Sequence, residues 1–281
     1  MTLTAGLGFK LEHLDAVLAA RNPGLWFEVH SENYMMDGGP RLAALEAVRR
    51  EHPVSLHGVG LSLASVTPPD PDHVARLARL AERIEPCAVS DHLAWTRSGG
   101  VEHGDFLPFP RSRSALACVV DNIQRVQDVL RRPLLVENPS TYIDLPGHAF
   151  DEATFLAEMV QRSGCELLLD VNNAFVSAHN LGGDAQAYLD ALPAAAIREI
   201  HLAGHSPDPD GATGLLIDTH DAPIVDAVWQ LYARLIDRIG ARPTLIERDD
   251  HIPPFEQLMV ERNRAAALLA YDSARAELVD A

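Results

Sequence analysis

Histidine, aspartate and glutamate recur along this chain where short apolar runs stop. Leu25–Val29 runs into His30, with Glu32 just beyond; Val54–Leu56 runs into His57; Ala88–Ser90 runs into Asp91 and His92. Leu134–Val136 stops at Glu137 and Asn138, and Leu167–Leu169 stops at Asp170, with Asn172 and Asn173 following. Glu199 and Ile200 lead to His201, with His205 close behind, and Thr244–Ile246 leads to Glu247, with Asp249 just after. The segment after His205 adds Asp218, His220 and Asp221. Imidazole and carboxylate together suit iron, manganese or zinc. Many acids gathered at one place repel unless cations accompany them. The pattern therefore predicts a site for two or three metal ions. Thiolate has no part in it: Cys87, Cys118 and Cys165 form no CxxC pair, which excludes a disulfide framework, a thiolate zinc site and a thiolate-held iron–sulfur cluster.

Each of these residues alone is weak evidence, because a single histidine at a strand end is more often a hydrogen-bonded structural group. The joint pattern is what counts. His13, His52, His73, His103 and His148 lie on helices or loops and read as structural, with His179 intermediate. Asp15, Glu46, Glu82, Asp128, Glu152 and Asp237 read as solvated helix faces. Other chemistries lack their signals. There is no GxSxG nucleophile elbow and no P-loop. Ser90-Asp91-His92 holds triad-type residues, but neighbours on a strand point to opposite faces. Glu137 and Glu247 could act as a glycosidase pair; the histidines beside them favour metal.

The elements that must position these residues are legible. The β-rich runs are Gly6–Phe9, Leu25–His30, Val54–His57, Ala88–Leu93, Leu134–Glu137, Leu167–Val171, Glu199–Leu202 and Thr244–Glu247. Several are nearly continuously apolar, as parallel strands buried on both faces are. Helical stripes separate them, such as Leu77, Leu80 and Ile84 after Pro68–Pro71, the amphipathic stretch Ser112–Leu130, and Val225, Val228, Tyr232, Leu235 and Ile239. Pro133 and Pro243 stand where a helix must give way to a strand. This alternation predicts an α/β fold, a closed (β/α)8 TIM barrel, over residues 1–281 as one catalytic domain. An open doubly wound sheet is the runner-up, but Gly6-Leu7-Gly8-Phe9-Lys10 is not the GxGxxG loop such a sheet would carry. In a barrel, all the carboxyl ends converge on one face.

Composition bounds the partners. The 281 residues suit one barrel of roughly 250 residues. Lys plus Arg is 23 against 40 acids, a formal charge of −17, which argues against nucleic acid and anionic membranes. No stretch nears the ~20 apolar residues of a membrane span. Met1–Lys10 has no basic start followed by an apolar run, so no signal peptide is expected. A reduced, cytoplasmic setting fits.

Eight motifs resemble the DUF692 (UPF0276) family over nearly the whole chain. They are Phe27–Asn33, Ser55–Gly60, Ser90–Leu93, Val136–Ser140, Leu169–Asn173, Ile200–His205, Ile217–Asp221 and Leu245–Asp250. The resemblance implies a xylose-isomerase-like barrel and a multinuclear non-haem iron-dependent oxidative enzyme. Such enzymes use ferrous and ferric iron with dioxygen to modify cysteines of ribosomally made precursor peptides. Their products include oxazolone–thioamide groups and thiooxazoles, and copper-binding methanobactins and bufferins arise this way. A separate partner protein usually recruits the peptide. Carried over by motif, the metal ligands are His57, His92, Glu137, Asp170, His201, Asp218, His220 and Glu247, with Glu137 bridging. Asn173 and His205 stand as ligands or as partners of ligands, and Asp249 as a ligand or, with His205, as an acid–base group near substrate. The chain departs from the pattern at Leu181, where some relatives carry histidine after the asparagine. That leaves His179 and a third metal position open.

Two other readings compete. One is a metal-dependent sugar isomerase or an endonuclease-like hydrolase on the same barrel, separable by its metal content. The other is a protein that binds metal or peptide without turnover.

Overall fold

The structure, a computed structural model, describes residues 3–98, 101–211 and 213–279. Eight parallel strands close a barrel in chain order. They are β1 (Ala5–Gly8), β2 (Phe27–His30), β3 (Val54–Gly58), β4 (Val89–His92), β5 (Leu135–Glu137), β6 (Glu166–Asp170), β7 (Ile197–Leu202) and β8 (Thr244–Ile246). β1 pairs with both β2 and β8, which removes any free sheet edge. The eight β-rich runs of the sequence are these eight strands, with ends displaced by a few residues.

Helices separate the strands and cover the barrel: α1 (Leu14–Ala19), α2 (Pro40–Glu51), α3 (Pro71–Ile84), α4 (Arg113–Leu130), α5 (Glu152–Ser163), α6 (Val171–Leu181), α7 (Ala185–Ala191), α8 (Asp226–Ile239) and α9 (Phe255–Val279). Their starts follow local chemistry. Asp70, Ser112, Asp151 and Asp184 accept hydrogen bonds from backbone N–H groups of the first turns they cap. The stripe Leu77, Leu80 and Ile84 of α3 is buried, as are Val228, Tyr232 and Leu235 of α8.

The register sets ligand-type residues opposite one another in pairs. His30 lies opposite His57, His92 opposite Glu137, and Asp170 opposite His201. Two antiparallel ribbons stand on the carboxyl-terminal face: Trp95–Ser98 with Val101–Leu107 after β4, and Ser206–Pro207 with Leu216–Ile217 after β7. Two expectations need correction. His103 lies on a strand of the first ribbon and not on a helix or loop. Glu152 is not a solvated helix face: it accepts hydrogen bonds from Tyr188 (2.9 Å) and Arg111 (3.3 Å) and ties α5 to α7. Its place at the first turn of α5, beside the loop that carries Arg111, turns it inward.

Candidate metal centre

Glu137 ends β5 at the centre of the mouth, 1% exposed. Its Oε2 lies 3.2 Å from His57 Nε2 and 3.2 Å from His92 Nε2. Its Oε1 faces the other way, 4.0 Å from His201 Nδ1. The imidazoles are held from behind. His57 Nδ1 meets Ser90 Oγ at 2.8 Å, and His92 Nδ1 meets the Gly58 carbonyl at 3.1 Å. Each ring therefore turns its Nε2 to the shared carboxylate. Such a partner on the far nitrogen fixes tautomer and orientation in metal-binding histidines. Phe106, from the ribbon after β4, stacks on His92 with ring centroids 3.8 Å apart.

Two groups of potential ligands meet at Glu137. His57, His92 and Glu137 form one; Glu137, Asp170, His201 and Glu247 form the other, each with its ligand atoms within 4.8 Å of one another. Asp170 serves two ends. Its Oδ1 accepts the Asn173 N–H (2.6 Å) and caps α6, while its Oδ2 has no hydrogen-bond partner. Glu137 Oε2 and Asn173 Oδ1 are likewise buried without one. Buried oxygens in native proteins are ordinarily satisfied, so this cluster of orphans suits cations. Burial pushes the Glu137 carboxyl well above its usual range, and burial together with Asp218 pushes Asp170 up to about 7. Glu28 and Glu247, which flank His201, raise its imidazole well above the usual range against the opposing effect of burial.

A layer below the mouth was missed from the sequence. His201 Nε2 lies 3.2 Å from Glu28 Oε1 and 3.5 Å from Glu199 Oε1, and Ser55 donates to Glu28 Oε2 at 2.7 Å. Glu28, Glu199 and His201 form a third group of potential ligands, wholly buried. Strand parity was the available signal: Glu28 is two residues before His30, and Glu199 two before His201, so each pair shares a face.

The remaining predicted residues lie around the rim. His220 Nε2 is 2.8 Å from Asp218 Oδ1, and its Nδ1 is 3.3 Å from Asp249 Oδ2 and 3.4 Å from Glu247 Oε2. His205 Nδ1 is 2.6 Å from Asn172 Oδ1 and stacks on Phe175, so it sits one residue removed from Asp218, to which Asn172 donates at 2.7 Å. His179 meets the Gly214 carbonyl at 3.0 Å and braces the second ribbon. Leu181 is exposed. His30, Glu247 and Asp249 form a fourth ligand group and line a second cavity together with Gly8, Phe9 and Lys10. A cavity of about 180 Å³ lies over the centre, lined among others by His57, His92, Tyr142, Asp218 and His220.

The sequence profile of the RiPP precursor modification enzyme family MbnB/TglH/ChrH matches residues 4–270. The chain belongs to that family. It is 62% identical over 270 residues to a UPF0276 protein of Caulobacter vibrioides (strain NA1000 / CB15N), covering 96% of each chain. Among solved structures it resembles an L-ribulose 3-epimerase (TM-score 0.62, 14% identity, 100% of this chain and 99% of that one). It also resembles endonuclease IV from Thermus thermophilus (TM-score 0.61, 16% identity, 95% of this chain and 99% of that one). At such identities the likeness concerns the fold, a xylose-isomerase-like barrel. The expected family and fold class are thus borne out.

Proposed function

We propose that this family member is a multinuclear iron-dependent oxidase that uses dioxygen to modify cysteine residues of a ribosomally made precursor peptide. The observation that carries the reading is Glu137: one buried carboxylate shared by two ligand groups, with Oε2 between two imidazole nitrogens and unbonded. In this reading His57, His92 and Glu137 hold one ion, and Glu137, Asp170, His201 and Glu247 a second. Asp218 and His220, with His205 reached through Asn172, serve the rim and a third position, and Asn173 stands beside Glu137 and Asp170 as a ligand or the partner of one. The donor set is nitrogen and oxygen without thiolate, which fits ferrous and ferric iron.

When bound, iron supplies a redox couple and open positions for dioxygen and the substrate sulfur. The chain's own residues do the rest. Ser90 and the Gly58 carbonyl aim the imidazoles. Phe106 and Tyr142 wall the cavity, and Asp249, bonded to Lys10, faces it as the group that handles substrate protons. The peptide comes to the mouth between the two ribbons, presented by a separate recruiting protein in the cytoplasm. Methanobactin- or bufferin-like copper-binding products are the expected class.

The test is co-expression with a Cys-containing precursor encoded beside the gene, followed by peptide mass analysis. Iron-loaded protein with dioxygen should change the peptide's mass; His92→Ala and Glu137→Gln should abolish the change, as should anaerobic conditions. An unchanged modification without dioxygen would sink the proposal, and full activity with zinc alone would favour a hydrolytic enzyme.

A further inference from the structure

Lys10 is the single lysine of the chain, against 22 arginines. It stands at the metal mouth. β1 ends on Gly8, which brings no side chain there, and the Lys10 stem folds back over that space: a Cβ on Gly8 would sit 3.8 Å from Lys10 Cε and 3.9 Å from Nζ. Nζ donates to Asp249 Oδ1 at 3.0 Å. The ammonium lines a cavity of about 240 Å³ together with His30, Asn33, Tyr34 and Arg41. That cavity shares His30, Glu247 and Asp249 with the one over the metal centre.

Three of the four acids on its wall are matched at short range, and the fourth, Glu12, is exposed to solvent. Asp249 has Lys10 and His220, Glu247 has His201 and His220, and Glu28 has Ser55 and His201. Glu12 lies 3.9 Å from His13. The cations are not used up. An ammonium has three donors, of which one goes to Asp249. Arg41, exposed at the first turn of α2, has no ion pair or side-chain hydrogen bond among the described residues. In a protein of formal charge −17, spare donors on two cations beside the site are a place for an anion. A compact ammonium can lie between Asp249 and a second carboxylate where a planar guanidinium would need more room.

We infer that this cavity binds a carboxylate of the peptide substrate, held by Lys10 and Arg41 while the neighbouring residue reaches the metal centre. The inference rests on the mouth being the peptide site, but binding of the carboxylate needs no oxidation. The carboxylate is either the chain terminus of the peptide or an acidic side chain.

A single lysine makes the test direct, because 13Cε-lysine labelling gives one NMR signal. The zinc-loaded chain is titrated with N-acetyl-L-alanine, with N-acetyl-L-aspartic acid 1-amide, and with the neutral N-acetyl-L-alanine amide. One of the two acids should move the Lys10 signal saturably, identifying a terminal or a side-chain carboxylate, while the neutral amide leaves it in place. Arg41→Ala, a change at an exposed position, should weaken that binding roughly tenfold. An equal shift with the neutral amide, no saturation with either acid, or unchanged binding in the Arg41 variant would each overturn the site. Carboxylate binding without peptide oxidation would instead overturn the oxidase reading and leave this site standing.

Discussion

His201 joins two layers of acid. Its Nδ1 faces Glu247 at 3.1 Å in the mouth, and its Nε2 faces Glu28 and Glu199 beneath. A histidine ligand binds more strongly when a carboxylate accepts a hydrogen bond from the N–H of its other nitrogen. Glu28→Gln and Glu199→Gln should each lower affinity for Co(II) about 10–100-fold and alter its d–d absorption, with circular dichroism unchanged. Equal affinity and spectrum would reduce both residues to barrel packing. Ligand-type residues at strand ends were legible because they break apolar runs. Glu28 and Glu199 were not, since one lies inside its run and the other opens its run, where an acid is noticed only once the inward parity of the strand is fixed by its neighbours.

The rim residues depend on how the segment after β7 doubles back. Gly204 lets it do so: its carbonyl accepts the His220 N–H at 3.1 Å, and a Cβ there would fall on the Ala222 backbone carbonyl. His220 itself holds φ +50°, and its carbonyl accepts the Asp249 N–H at 3.0 Å. Gly204→Ala should therefore destabilise by about 3 kcal/mol in urea unfolding and displace Asp218 and His220 together. A change below about 0.5 kcal/mol would show that the loop relaxes freely. The sequence placed Asp218 and His220 after the seventh strand. Their approach to Glu247 and Asp249 comes from this return, for which a lone glycine gives no local signal.

Across the molecule, the buried acids make metal-free folding pH-dependent. Burial raises Asp170 from 3.8 to about 7 and, with Glu28 adding to it, Glu199 from 4.5 to about 7. The folded chain thus holds more protons than the unfolded one between about pH 4 and 7, and stability falls as pH rises through that window. His201, raised by Glu28 and Glu247 despite burial, acts in the same direction, whereas His57 and His92, lowered by burial, act against it. The metal-free protein should show a melting temperature that declines from pH 5 to 7.5. Saturating Fe(II) or Zn(II) under anaerobic conditions should raise it and flatten the slope, because cations replace the protons. A metal-free melting temperature that rises over that range would show that the neutral imidazoles of His57 and His92 outweigh the raised acids.

The order of strands and helices and the residues that end the strands follow from the sequence, because periodicity, breakers and side-chain chemistry are local properties. The tertiary structure decided which oxygens meet. Only the barrel's closure and register bring His57, His92 and His201 around Glu137, set Glu28 and Glu199 beneath them, and carry Lys10 across Gly8 to Asp249. Those distances join residues up to 239 positions apart, and they are fixed by strand pairing and packing, which no short window of sequence contains.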